Sequence, residues 1–286
     1  MSEVEQTATA EQAKGKPTLR YWVAAVPALL ILSICIALAL AVRDHHKPEE
    51  TKLIAGEITV DEMVDYLNKL TRWIGPRDLT TEEGQKALRS TVAMAEGTLG
   101  PSNIGYATSQ VTDSAQGFLW RTVWLDAGPE EAKNVVVVQA PYGGTGEEVA
   151  FALGYAEFLT KKTLSYKVRL VFTPPLAGAG ELSWVEKRVM SDEETLVGLV
   201  QLQAGEAAPE LGELVVSAEL KEKLGEVLEK RRWEALVPLR EKGTGGEKMV
   251  GFVLARDAQG RTQETAADFI RLIAVMEEVV RVLVER

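Results

Sequence analysis

Carboxylates are the side chains of this 286-residue chain with the clearest potential for chemistry. Paired carboxylates can transfer protons or hold Mg²⁺ or Ca²⁺. No two of them have a spacing that is diagnostic of a site, so solvated helix ends and loops are the simpler interpretation. Glu147, Glu148 and Asp257 are the carboxylates that we retain as site candidates. The full set of candidates is Glu147, Glu148, Glu181, Glu206, Asp257 and Asp268.

Histidine and cysteine chemistry is limited by the number and position of these residues. The chain has two histidines, His45 and His46, and one cysteine, Cys35, all near the N-terminus. A domain formed by the later residues has no histidine to bind zinc, to act as a base near pH 7 or to activate a serine. A single cysteine also forms no intrachain disulfide. We expect no catalytic triad and no histidine-containing zinc site.

An apolar run at residues 21–42 contains no charged side chain. At about 1.5 Å per residue, such a helix is long enough to cross a bilayer. Lys14, Lys16 and Arg20 precede it, which predicts a single-pass protein with a cytoplasmic N-terminus and an exported, periplasmic or extracellular, C-terminal domain. The alternative is a cleaved signal peptide, with a cleavage site at residues 37–39.

Charge and composition divide the rest of the chain. The net charge is −10, and residues 1–20 contribute none of it, so the acidic excess lies on the predicted exported part. This argues against nucleic acid as a partner. We predict a disordered tail at 1–20, a juxtamembrane linker at 43–57 and one α/β domain at 58–286.

Strand and helix patterns alternate along this domain. Residues 134–140, 166–173 and 196–203 are rich in β-branched and aliphatic side chains, which is typical of buried parallel strands. The predicted fold is a three-layer α/β structure, with a mostly parallel central sheet and helices on both faces. Helices are predicted at 59–73, 81–97, 147–162, 180–190, 219–233 and 264–284. Strands at 104–111 and 118–126 are predicted to form an antiparallel pair, and a further strand is predicted at 249–255.

A glycine-rich turn, residues 141–146, separates a predicted strand from a predicted helix. Such a turn can bind an anion at the helix N-terminus. We favour a tight turn with Thr145 and Glu148 as a capping box, because Glu147 and Glu148 would repel a phosphate. Thr59 and Glu62 form a second predicted capping box.

The order of these pieces resembles the zinc aminopeptidase and glutamate carboxypeptidase family of clan MH. Members hold two zinc ions at the ends of the sheet strands. Carried over to this sequence, the ligand positions fall at Pro141, Gly143, Pro175 and Gln203, and the final histidine is absent from 257–262. The resemblance therefore implies a degenerate member with no zinc, no other cofactor and no catalytic residues. The segments that carry the resemblance are 70–77, 134–144, 167–176 and 257–284.

Degenerate members of this family act as binding or scaffold modules. The resemblance implies a membrane-anchored, catalytically inactive domain with a protein or peptide partner. The alternative is a peptidase-family hydrolase with residual or repurposed carboxylate-based activity. An exposed aromatic face would mark a partner site, although packing in the core is the simpler expectation for the tryptophans of the domain. These are Trp73, Trp120, Trp124, Trp184 and Trp233, of which Trp120 and Trp124 are expected on one strand face.

Overall fold

A computed structural model describes residues 58–115, 118–176, 181–205, 212–233, 237–241, 248–254 and 261–285. The predicted tail, membrane-spanning run and linker, residues 1–57, lie outside this part of the chain. Among the described residues, no helix combines the length and the apolar character needed to cross a membrane.

Eight strands form one mixed sheet. They are β1 (Thr108–Ala115), β2 (Phe118–Ala127), β3 (Asn134–Pro141), β4 (Lys167–Thr173), β5 (Thr195–Ala204), β6 (Gly212–Val216), β7 (Leu239–Glu241) and β8 (Met249–Leu254). Their order across the sheet is β1-β2-β4-β3-β5-β8-β6-β7. The predicted parallel arrangement is right for the central strands β4, β3, β5 and β8. The flanking strands make the sheet mixed, because β1 pairs with β2, β2 with β4 and β6 with β8 in antiparallel fashion.

The three predicted buried strands are neighbours, with β3 between β4 and β5. The side chains from Val135 to Val138 are fully buried on both faces of the sheet, as the continuous β-branched run predicted. The predicted antiparallel pair β1 and β2 is also confirmed. Strands β6 and β7 were not predicted, because they are only five and three residues long.

Six α-helices accompany the sheet in the described residues: α1 (Val60–Leu67), α2 (Glu82–Leu99), α3 (Glu147–Leu159), α4 (Leu182–Arg188), α5 (Ala218–Arg231) and α6 (Thr262–Val284). Helix α1 begins at the predicted capping box of Thr59 and Glu62 and continues as a π-helical segment, Asn68–Trp73. The predicted capping box of Thr145 and Glu148 is wrong. Gly146 precedes α3 with a φ of 106°, and no side chain caps the helix.

Hydrophobic clusters lie on both faces of the sheet. On one face, the ring of Phe151 in α3 contacts those of Phe252 and Phe269, with centroids 5.5 and 5.6 Å apart. On the other face, Val185 of α4 packs with Val135 and other strand residues. Helices therefore cover both faces, as predicted.

Candidate functional site

Three parallel strands, β3, β4 and β5, end at the same edge of the sheet. Pro141 at the end of β3 pairs with Thr173 at the end of β4, and Gln139 pairs with Gln201 of β5. The ligand positions predicted from the resemblance, Pro141, Gly143, Pro175 and Gln203, therefore lie at or just beyond neighbouring strand ends. Open α/β sheets generally place their functional sites at this edge.

Pro175 fills the space next to Gly143. A Cβ atom at position 143 would lie 2.3 Å from Cβ and 2.6 Å from Cγ of Pro175. The intervening Tyr142 is buried, and its hydroxyl donates a hydrogen bond to the carbonyl of Arg121 at 2.9 Å. Its N–H donates to the carbonyl of Thr173 at 2.9 Å. This packing leaves no room for a ligand side chain at position 143.

The residues at these four positions do not fit a zinc centre. Zinc in proteins is bound by thiolate, imidazole or carboxylate groups. Proline and glycine side chains carry no donor atom, and Gln203 offers only a neutral, exposed amide. Within the described ranges, no group of three or more His, Cys, Asp or Glu side chains could hold a metal ion.

A buried polar cluster lies beside the strand ends, centred on Arg77, which is 7% exposed. Its guanidinium donates hydrogen bonds to Thr91 Oγ1 at 2.7 Å, to the carbonyl of Gly144 at 3.2 Å and to the carbonyl of Leu70. A Cβ at position 146 would lie 2.8 Å from Nη2 of Arg77. The positive φ of Gly146 also favours glycine. The glycine-rich segment is thus a tight turn shaped around a guanidinium.

Glu148 is the most unusual acid of this cluster. It is 4% exposed, and its Oε1 accepts a hydrogen bond from the N–H of Ala204 at 3.0 Å. Its Oε2 is buried and has no hydrogen-bond partner in the described part of the chain. Burial raises the pKa of Glu148, and hydrogen bonds from backbone N–H groups oppose the rise. Burial lowers the pKa of Arg77, against the effect of the charges of Glu148 and Glu147.

The other predicted carboxylates do not complete a site. Glu206 and Asp257 lie outside the described residues. Glu181 is exposed at the start of α4, and Asp268 pairs with Arg271 at 3.2 Å. Only Glu147 and Glu148, which are adjacent in the sequence, are buried together in the first turn of α3.

A second buried polar cluster was not predicted. Arg169 of β4 donates to both carboxylate oxygens of Asp126, at 2.6 and 2.7 Å, and to both of Glu194, at 2.8 and 2.9 Å. Lys167 lies 2.8 Å from Glu194. Burial raises the pKa of Glu194, but hydrogen bonds from Lys167 and Arg169 outweigh this effect and lower it to about 2. The sequence signal that could have indicated this cluster is the presence of two cations, Lys167 and Arg169, in an otherwise largely apolar strand.

The tryptophans divide between core and surface. Trp120 is buried in the larger hydrophobic cluster and Trp124 packs against the smaller one, so they do not form a common aromatic face. Trp184 and Trp233 are partly buried against these clusters. Trp73, at the end of the π-helical segment, is 73% exposed. Of the five tryptophans considered for a partner site, Trp73 is the one whose side chain is largely exposed among the described residues.

The fold is like that of zinc exopeptidases and glutaminyl cyclases. Porphyromonas gingivalis glutaminyl cyclase matches 79% of this chain and 99% of its own, with a TM-score of 0.55 and 11% identity. A leucine aminopeptidase precursor from Bacteroides thetaiotaomicron matches 78% and 98%, with a TM-score of 0.52 and 11% identity. A Zn-dependent exopeptidase from Parabacteroides distasonis matches 77% and 99%, with a TM-score of 0.50 and 12% identity.

At these identities the likeness establishes the fold alone. No protein family matches the sequence, and a search of curated proteins found no significant match. The structural likeness supports the peptidase-like fold that the sequence resemblance implied.

Proposed function

We propose that residues 58–286 form a peptidase-like domain that has lost the zinc site and binds a protein or peptide partner. The observation that carries this proposal is the packing of Pro175 against Gly143, where the resemblance places a metal ligand. We further propose that residues 21–42 anchor the domain in a membrane.

The requirements of two-metal hydrolysis support the proposal that the zinc site is lost. Two metal ions about 3.5–4 Å apart must be fixed by deprotonated ligands so that a bound water becomes hydroxide near neutral pH. The strand ends of this chain carry Pro141, Gly143, Pro175 and Gln203 instead. Both histidines precede the domain by more than ten residues. Without a catalytic centre, the retained fold supports a role in binding.

One observation favours the alternative, a carboxylate-based hydrolase. Glu148 is a buried carboxyl group with a raised pKa, which is the property of a general acid. Glu147 is its only close carboxylate neighbour within the same helical turn. A hydrolase of this kind would use Glu148 as the proton donor and would not need a metal.

Metal analysis and activity assays test both functions. Full-length protein purified without chelator should contain no stoichiometric zinc and should show no aminopeptidase or carboxypeptidase turnover with added Zn²⁺. A His45→Ala/His46→Ala variant serves as the control for zinc bound by the predicted linker. Two tightly bound zinc ions, or turnover that a chelator abolishes, would contradict the proposal. Turnover that is insensitive to chelator and lost in Glu148→Gln would establish the alternative.

Protease accessibility tests the proposed anchor. Protease added outside intact cells or spheroplasts should digest the chain beyond residue 43 and spare the N-terminal tail. A mature protein that begins near Leu40 would show instead that residues 21–42 belong to a cleaved signal.

A further inference from the structure

We infer that an extended peptide adds as a strand to the free edge of β1 and places a large apolar side chain, flanked by a carboxylate, into the groove between α2 and the β1–β2 hairpin. This hairpin groove is lined by Arg89 and Val92 of α2, by Thr112 of β1, by Leu119, Trp120 and Arg121 of β2, and by Tyr142. The inference rests on the proposed binding function and specifies its partner and surface.

Strand β1 lies at one end of the sheet and pairs with β2 alone among the described strands. Its backbone therefore has one edge that no described strand pairs with. Natural edge strands are commonly protected by lysine, proline or a bulge. From Thr108 to Ser114 this strand has no lysine or proline, and its register with β2 is continuous. Such an edge is suited to the addition of a peptide strand.

The one charged side chain of β1 is already engaged. Asp113 forms a salt bridge with Arg188 of α4. Arg188 belongs to α4, which packs on the smaller hydrophobic cluster, and neither Asp113 nor Arg188 lines the hairpin groove. The groove face of β1 carries Thr112 and other uncharged side chains, so it does not repel a partner of either sign.

An apolar cavity of about 290 Å³ lies beside this edge. Leu119, which is 71% exposed, forms part of its wall, together with buried Tyr142. The register pairs Thr112 with Arg121 and Ser114 with Leu119, so these four side chains share one face. A strand added beside β1 presents every second side chain to the same face and hence to the cavity.

The charges around the cavity define the partner further. Arg121 lies 2.9 Å from Glu96 and is neutralised by it. Arg89 is exposed, lines the cavity and forms no ion pair with any described residue. In a chain with a net charge of −10, a cation that has no ion pair among the described residues and lies beside an apolar cavity favours a partner carboxylate. The peptide therefore carries an aspartate, a glutamate or its own C-terminal carboxylate near the apolar side chain.

Peptide selection on the full-length protein tests the inference. A displayed library of random dodecapeptides should yield sequences with a large apolar residue within two positions of a carboxylate. Arg89→Glu should weaken the selected peptide at least about tenfold. Lys86→Glu, an equal charge change on the exposed surface of the same helix, should change its affinity less than about twofold.

Backbone chemistry distinguishes strand addition from simple docking. Methylation of the peptide nitrogens that face β1 should abolish binding, whereas methylation of the alternate nitrogens should not, because only one set donates across the edge. Amide hydrogens of residues 108–114 should also exchange more slowly in the complex.

Several results would overturn the inference. They are the absence of an enriched peptide, equal binding to the Arg89→Glu variant, and tolerance of both methylation patterns. A homodimer whose β1 amides are protected without peptide would assign the edge to a second copy of the chain. A peptide that binds elsewhere on the protein would show that the hairpin groove is not the binding site, but it would leave the proposed binding function intact. Bound zinc with turnover would overturn the binding function itself.

Discussion

Gly143 and Pro175 are in contact across two strand ends, with 2.3 Å between Cβ of Pro175 and the position that a Cβ at residue 143 would take. The residues just beyond β3 and β4 thus pack against each other at the place where the resemblance puts a metal ligand. Protein interiors are packed closely enough that one added methyl group in such a contact forces a displacement. This contact is the basis of the first prediction.

Gly143→Ala should destabilise the protein by about 1–3 kcal/mol through overpacking. Gly97→Ala is the matched control, because no atom lies within 4 Å of a Cβ at this exposed helical position. It should be neutral or stabilising by up to about 1 kcal/mol. Urea unfolding of both variants measures the difference. In a Pro175→Gly background the cost of Gly143→Ala should fall, and an unchanged cost would show that the contact is not its cause.

The central fold was predictable because burial leaves a strong pattern in the sequence. The valines of β3 and the apolar side chains of β4 and β5 are buried on both faces, and such runs are read as parallel strands without knowledge of their partners. Strands β6 and β7 are five and three residues long and depend on pairing with β8 and with each other. Pairing between distant segments leaves little local signal, so these strands were missed.

The candidate site was predictable only in outline. The four positions Pro141, Gly143, Pro175 and Gln203 lie at neighbouring strand ends, because the end of a strand can be predicted from its apolar run. The contacts of Arg77 with Thr91 and Gly144 depend on the approach of three segments. The same is true of the hairpin groove, where Arg89 becomes significant only through the register of β1 and β2. Spacing along the chain does not encode such approaches.

Arg169→Met should cost about 3–5 kcal/mol, because it removes the buried cation that Asp126 and Glu194 share and leaves only Lys167 beside Glu194. Arg169 is 7% exposed in this network, whereas Arg271 is 62% exposed in its pair with Asp268. Arg271→Met is therefore the control and should change stability by less than about 1 kcal/mol. Thermal and urea unfolding of the two variants give the comparison. Equal effects would show that the Arg169 network does not contribute to stability.

Glu194 should make the protein sensitive to acid. Hydrogen bonds from Lys167 and Arg169 lower its pKa to about 2 in the folded protein, from an ordinary value of 4.5. As the pH falls, Glu194 is therefore protonated at a lower pH in the folded state than in the unfolded state. The stabilisation is fully present above about pH 4.5 and is lost on acidification towards pH 2. Glu194→Gln should lack this loss between pH 4.5 and 2, whereas Glu193→Gln, at an exposed neighbouring position, should retain it.

Glu148 should produce the opposite pH dependence. Burial raises its pKa above the ordinary value of 4.5, so above that pH the folded state retains a proton that the unfolded state has released. Stability then decreases as the pH rises from about 4.5 to the folded pKa. Gln at this position keeps an oxygen for the N–H of Ala204 but cannot ionise. Urea unfolding between pH 4 and 7 should therefore show Glu148→Gln gaining stability relative to wild type as the pH increases.

Glu83→Gln, in the exposed first turn of α2, is the control, because it measures the general effect of removing one carboxylate from the start of a helix. A constant difference between Glu148→Gln and wild type across this range would mean that Arg77 holds Glu148 ionised in the folded protein.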